Sequence, residues 1–360
     1  MDYSMNPANY VEWLKENSLF GAVEKHYAAF ERIFQQCLGV RKEYVLIVGD
    51  TGYEDHMVSA LMTGCYMLAA KRMGLKYSLV MQSPKKVHST ADDLLIQALK
   101  GFPENNVLAV SLSGKLGGMK ALGKSFRKYA RALNHRFVST TGLHELPTKK
   151  FPDMVKALDV DYPAMDRKAA DIKQRMDNAD ELRITTPAGT DLHVNIHHKY
   201  SVANTGNYAS SRQGGNIPAG EVYIAPNGKN VEGKVVIDGS VKVKDATILV
   251  KNPVVMQIEA GVVKSISGKE EAEMLEKTLA WAEKKAQYPW GIRRLGEIGI
   301  GINPNASIVG PTIINEKTLG TAHIALGSNE WFGGSVYSIT HFDQVFRNPS
   351  IYLDNARLRI

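Results

Sequence analysis

Glu297-Ile298-Gly299-Ile300-Gly301-Ile302 decides how the second half of the chain is read. Side chains alternate faces along a strand, so Glu297, Gly299 and Gly301 share one face and the isoleucines share the other. The isoleucine face calls for a core. The glutamate face carries only hydrogens beyond its carboxylate, which leaves room for a bulky neighbour. His323-Ile324-Ala325-Leu326-Gly327 repeats the pattern, with Ala325 and Gly327 on the imidazole's face and Ile324 and Leu326 behind. His341-Phe342-Asp343 sets an imidazole and a carboxylate at i and i+2, side by side on one strand face. Upstream, Glu221-Val222-Tyr223-Ile224-Ala225 alternates in the same way after the turn-forming Asn216-Ile217-Pro218-Ala219-Gly220. Glu221, Glu297, His323, His341 and Asp343 are therefore expected to converge on a divalent-metal centre.

This mixed set of carboxylates and imidazoles suits zinc, manganese, cobalt or iron, and without thiolates it is not a structural Cys-zinc site. A single catalytic zinc uses three protein ligands. Five are better used by a pair of ions sharing a carboxylate, an arrangement that serves amide hydrolysis. His323, His341 and Asp343 alone would satisfy the alternative, two histidines and one carboxylate around Fe(II). His197 and His198, on a strand's polar face or end, read as ordinary paired polar residues. The motifs HExxH and GxSxG, a kinase signature set, and a cysteine nucleophile with a positioned histidine are all missing from the sequence.

Working outward, the chain before this region alternates strand and helix. Tyr44-Val45-Leu46-Ile47-Val48-Gly49 is a continuous apolar run of the kind buried on both faces of a parallel sheet. Further strands are expected at 77–81, 106–112 and 135–140, with helices at 57–73, 90–99 and 123–133 and one or two amphipathic helices between Pro7 and Cys37. Two strand-to-helix turns, Gly49-Asp50-Thr51-Gly52 and Ser113-Gly114-Lys115-Leu116-Gly117-Gly118, contain neither GxGxxG nor GxxxxGK[ST] within those bounds and read as plain turns. Glu54, Asp55 and His56 read as surface residues. A polar helix from Tyr162 to Ala179 leads to a strand-rich half with a helix at 270–287. The expected fold is α/β: a doubly wound N-terminal domain (1–180), then a strand-rich α+β metal-binding domain (181–360).

The composition, 44% hydrophobic and 22% charged over 360 residues, is that of a globular protein. No apolar run is long enough to span a bilayer. Met1-Asp2-Tyr3-Ser4-Met5 does not open a signal peptide, and Cys37 and Cys65 form no disulfide framework, so a cytoplasmic location is expected. The net charge of +7 is densest at Lys115, Lys120, Lys124, Arg127, Lys128, Arg131 and Arg136. Most of these have helical spacing and read as a solvated helix face, so neither nucleic acid nor membrane is expected as a partner.

At its metal-ligand segments the sequence resembles the aminopeptidase T/aminopeptidase S family of dinuclear metallopeptidases. The resemblance rests on 182–192, on Asn216 to Pro226, on Arg294-Leu295-Gly296-Glu297, on Gly320-Thr321-Ala322-His323-Ile324-Ala325-Leu326-Gly327 and on His341-Phe342-Asp343. It covers most of the chain and is specific from Leu182 onward, with all five ligand types in family order. It implies a homodimer with an enclosed active site, two divalent ions (Zn, Co or Mn), and release of N-terminal amino acids from small peptides or cleavage of a related amide. Glu297 is the expected catalytic ligand, with Asp343 as the other candidate for bridging or activating water. Arg293, Arg294 and Tyr337 are the expected substrate contacts. The chain departs from that family by being shorter between His323 and His341. The family's catalytic tyrosine is also out of register here, where 328–334 reads Ser-Asn-Glu-Trp-Phe-Gly-Gly. A second resemblance, from His341 through Asn348-Pro349-Ser350-Ile351-Tyr352-Leu353-Asp354, is to the 2,5-dihydroxypyridine dioxygenases. These share the fold, bind one Fe(II) and replace the acids matching Glu221 and Glu297. Both acids are present here, which ranks this resemblance second. A non-enzymatic binding protein on the same fold is the third reading.

Overall fold

A computed structural model describes residues 6–86, 88–123, 125–209 and 213–360. Lys124 and the start of the chain lie outside the described residues. The chain divides into two compact units: one runs to Pro163 and takes back Gly206–Ala219, and the other comprises Ala164–Thr205 and Gly220–Ile360. The architecture is mixed α/β, one parallel and two antiparallel sheets, as the sequence led one to expect.

In the first unit the strands Val45–Asp50, Tyr77–Gln82, Val107–Ser111 and Arg136–Thr140 pair in parallel. Every residue of Val45–Asp50 is buried, which fits the apolar run Val45–Gly49 and the strand's interior place in the sheet. Leu46, Val48, Leu108, Val110 and Phe137 pack with Leu95, Leu99 and Phe102 of the helix Asp93–Gly101 and the turn after it. A fifth parallel strand, Gly214–Asn216, joins Arg136–Thr140. Those main-chain bonds tie 206–219 to the first unit, although in sequence it lies well past the expected boundary.

Where the first and third strands end, the buried Asp50 carboxylate accepts hydrogen bonds from Ser59 Oγ (2.6 Å), from Ser113 Oγ (2.6 Å) and N (2.8 Å), and from Gly52 N (3.1 Å). The two glycine-bearing turns are thus knitted together by an internal acid. Arg136 lies in the strand expected at 135–140 and, unlike a solvated basic residue, is buried there, where its guanidinium bonds to Glu43 and to the Leu38, Gly39 and Ala209 carbonyls. Cys37 and Cys65 are buried free thiols.

The second unit holds two seven-stranded sheets. One contains Glu181–Thr185, Asp191–Asn195, Val231–Ile237, Val254–Glu259, Val262–Ser267, Ser350–Leu353 and Ala356–Leu358. The other runs, edge to edge, through Thr247–Leu249, Ser240–Lys242, His341–Arg347, Thr321–Gly327, Leu295–Gly301, Glu221–Ile224 and Val202–Asn204, with antiparallel pairing throughout. Among the described residues no helix is long and apolar enough to cross a membrane.

Candidate metal centre

The four strands that carry the expected ligands are contiguous in the last of these sheets. Their register places Gly301 opposite Glu221, Gly299 opposite both His323 and Tyr223, Glu297 opposite Ala325, Ala325 opposite Asp343, and Gly327 opposite His341. Directly opposed residues point to the same side of a sheet. All five ligands therefore lie on one face, separated by glycines and one alanine. The clearing is a steric requirement: a Cβ at Gly299 would lie 2.0 Å from His323 Nε2. Ile298, Ile300 and Ile324, on the opposite face, are fully buried. Just before Glu297 the register slips by one residue against Thr321–Gly327, a bulge of the kind that re-aims side chains beside sites.

The ligand atoms fall into two groups that share Glu297: Glu221, Glu297 and His323, and Glu297, His341 and Asp343, each with its atoms within 4.8 Å of one another. In the first, His323 Nε2 lies 3.2 Å from Glu297 Oε1 and 3.7 Å from Glu221 Oε2. In the second, His341 Nε2 lies 3.5 Å from Glu297 Oε2 and 3.3 Å from Asp343 Oδ1. Glu297 thus offers a different oxygen to each histidine. His341 Nδ1–H donates to the Ser328 carbonyl at 2.8 Å, which leaves Nε2 as the ligating nitrogen.

Electrostatics agree with a cation site. Burial disfavours charge on His323 and His341, yet neighbouring carboxylates outweigh it. His323 is pushed up to about 9, chiefly through Glu297, and His341 to about 10, chiefly through Asp343. Burial also works against the Asp343 anion, but the charge and hydrogen bond of His341 hold it below the ordinary carboxylate range. Glu297 is raised, by burial first. Three carboxylates sharing a buried face need positive charge, and the donor set fits divalent ions. Glu221, Glu297 and His323 are buried, while His341 and Asp343 are half-buried, so the centre opens on their side.

The expected substrate contacts are not drawn into this cluster. Arg293 is engaged by Glu283 (2.8 Å) and Glu276 (2.9 Å) of the helix Glu270–Lys285. Arg294 stacks over Trp290, with its carbonyl accepting from Gly327 N at 2.9 Å. Tyr337 is 63% exposed. None of the three makes a hydrogen bond or ion pair with the five ligands among the described residues. His197 pairs with Asp180, as an ordinary polar residue does. A surface cavity of about 390 Å³ lies on the other sheet beside Arg183 and His193, and none of the five ligands lines it.

Other residues at the centre gave no signal in the sequence. Lys317 is buried, with its ammonium on Glu221 Oε1 and 2.5 Å from Glu316 Oε1. Asn204 Nδ2 donates to Glu221 Oε1 at 3.3 Å. Trp331, 56% exposed, meets the His341 ring edge-on with centroids 4.9 Å apart. No pattern in the sequence singles out Glu316-Lys317; only the folded loop shows that both side chains point inward.

The family model for 2,5-dihydroxypyridine 5,6-dioxygenase matches residues 152–358, a range that includes all five ligand positions. A curated 2,5-dihydroxypyridine 5,6-dioxygenase of Pseudomonas putida KT2440 is 26% identical over 190 residues, which is 49% of this chain and 52% of that protein. The chain thus spans about half the length of the curated relative it matches. Among solved structures, 2,5-dihydroxypyridine dioxygenase from the same strain superposes with a TM-score of 0.69 at 17% identity, over 94% of this chain and 96% of that one. Wild-type AmpT from Thermus thermophilus gives 0.59 at 19% identity, over 96% and 97%. At these identities both likenesses concern the fold. The aminopeptidase resemblance ranked first in the sequence is therefore supported as a relation of fold. With more than half of its length matched by the family model, the chain belongs to the 2,5-dihydroxypyridine 5,6-dioxygenase family.

Proposed function

We propose that this chain is a metal-dependent hydrolase of small amides or peptides, with Glu297 shared between two divalent cations. The observation that carries the reading is the disposition of Glu297: Oε1 faces His323 and Oε2 faces His341. Glu221, Glu297 and His323 would hold one ion, and Glu297, His341 and Asp343 the other. Divalent ions held by these residues would supply a lowered pKa for bound water and polarisation of a substrate carbonyl. The chain's own contribution is to fix the donors. Ser328 orients His341, the isoleucine core locks the strand backbones, and the buried floor excludes bulk water. Substrate enters from the half-buried His341 and Asp343 side, where Trp331 offers an apolar wall. Arg293 is committed to Glu276 and Glu283 and has no part in this reading.

Family membership favours a second reading, an Fe(II)-dependent ring-cleaving dioxygenase acting on a dihydroxylated pyridine. That chemistry needs two histidines and one carboxylate on one face of a single iron. His323, His341 and Asp343 could provide them, but Glu297 stands between the two histidines.

Metal analysis with two assays separates the readings. The hydrolase reading expects about two zinc, manganese or cobalt ions per chain and cleavage of an aminoacyl-arylamide. One iron per chain with oxygen uptake on 2,5-dihydroxypyridine would replace it by the second. Glu297→Gln is expected to lower hydrolysis by at least about 100-fold and to cost bound metal. A variant that changes stability alone would indicate a binding protein.

A further inference from the structure

Lys317 is the one cation placed directly on a candidate ligand among the described residues. Its side chain is 2% exposed, its ammonium contacts Glu221 Oε1, and it lies 2.5 Å from Glu316 Oε1. The backbone around it is pinned. Lys317 N donates to the Ile314 carbonyl at 3.1 Å, and the Lys317 carbonyl accepts from Asn303 N at 2.8 Å. Asn315 clasps the preceding loop through Val309 N (3.0 Å) and the Gly310 carbonyl (2.8 Å). Such a lysine does not swing away as a surface side chain would.

The two cation positions are therefore unequal. At Glu221, Glu297 and His323, one carboxylate already shares its charge with a fixed ammonium. At Glu297, His341 and Asp343, the direct partner of Asp343 is His341, itself a candidate ligand, and among the described residues no lysine or arginine forms an ion pair with these three. Lys317 acts on Asp343 only as a more distant charge.

We propose that Lys317 is a positioning residue that fixes Glu221 through Oε1 and imposes an order of loading. The Glu297–His341–Asp343 position fills tightly, and the Glu221–Glu297–His323 position fills weakly and exchanges. This rests on the two-cation reading above.

The test is a calorimetric titration of the metal-free full chain with Mn2+, comparing wild type with Lys317→Met, Lys317→Arg and the double variant Lys317→Met/Glu316→Gln. The double variant removes one charge of each sign, so it preserves a foldable interior if Lys317→Met alone does not. Expected are two binding steps in the wild type with dissociation constants at least tenfold apart. In the double variant the weaker step should tighten at least tenfold and the tighter one stay within threefold. Lys317→Arg should keep the wild-type order. A single wild-type step of one ion per chain that becomes two ions per chain in the double variant would support the role of Lys317, since the weaker position then lies beyond the titrated range until the ammonium is removed; a single step of two ions per chain counts as two equal steps. Two equal steps in the wild type, or a weaker step unmoved in the double variant, would overturn it while leaving the metal centre in place. No Mn2+ binding by the wild type would instead overturn the two-cation reading.

Discussion

Gly299 shows the chemistry of the centre on the scale of one residue. The missing Cβ is what admits the His323 imidazole between the strands. Gly299→Ala should destabilise the protein by about 1–3 kcal/mol through overpacking, seen as a lower urea midpoint, and should weaken metal binding as His323 is displaced. An alanine variant with wild-type stability and metal content would contradict the packing. The histidines set the pH response. In the metal-free protein both are raised above the ordinary imidazole value, to about 9 for His323 and about 10 for His341. Their contribution to stability is then complete below about pH 6.5 and lost as pH rises through about 9–10. Metal requires their neutral forms, so the sign reverses for binding. Apparent affinity for a divalent ion should rise steadily from pH 6 to pH 9 in calorimetric titrations. A flat profile over that range would show that neither imidazole is a ligand.

At the scale of the element, the strand Leu295–Gly301 carries the arrangement. Its bulge between Leu295 and Glu297 is packed tightly, since a Cβ at Gly296 would come within 2.3 Å of the Gly327 carbonyl oxygen. A slip of one residue in a ladder reverses which face each side chain occupies. Gly296→Val should therefore lower the unfolding midpoint and reduce bound metal together. Preserved metal content in a folded Gly296→Val protein would show that the bulge does not aim Glu297. The glycine and alanine positions of the flanking strands were readable from alternation alone, because a period of two is local. The bulge was not, because it depends on how two strands far apart in sequence align.

For the whole molecule, the second unit gathers the three ligand carboxylates, Glu221, Glu297 and Asp343, with one ammonium, Lys317, held directly on the first of them. Removing divalent ions with a chelator should lower the melting temperature, and restoring them should raise it. Free metal at 100 times its dissociation constant would add about 2.7 kcal/mol. A melting temperature indifferent to chelator and to added zinc or manganese would argue against a native cation site.

The sequence by itself determined four of the parallel strands of the first unit, the strand-rich character and the 270–287 helix of the second, and the single face that each ligand strand presents. Those properties depend on burial and on a local period, which a linear string records. Tertiary structure alone decided the rest. It aligned four strands so that Glu221, Glu297, His323, His341 and Asp343 meet, returned Gly214–Asn216 to the first sheet, committed Arg293 to Glu276 and Glu283, and turned Lys317 inward onto Glu221. Register between distant segments and the destination of a long charged side chain are set by what the folded chain brings alongside them, and no local pattern encodes that.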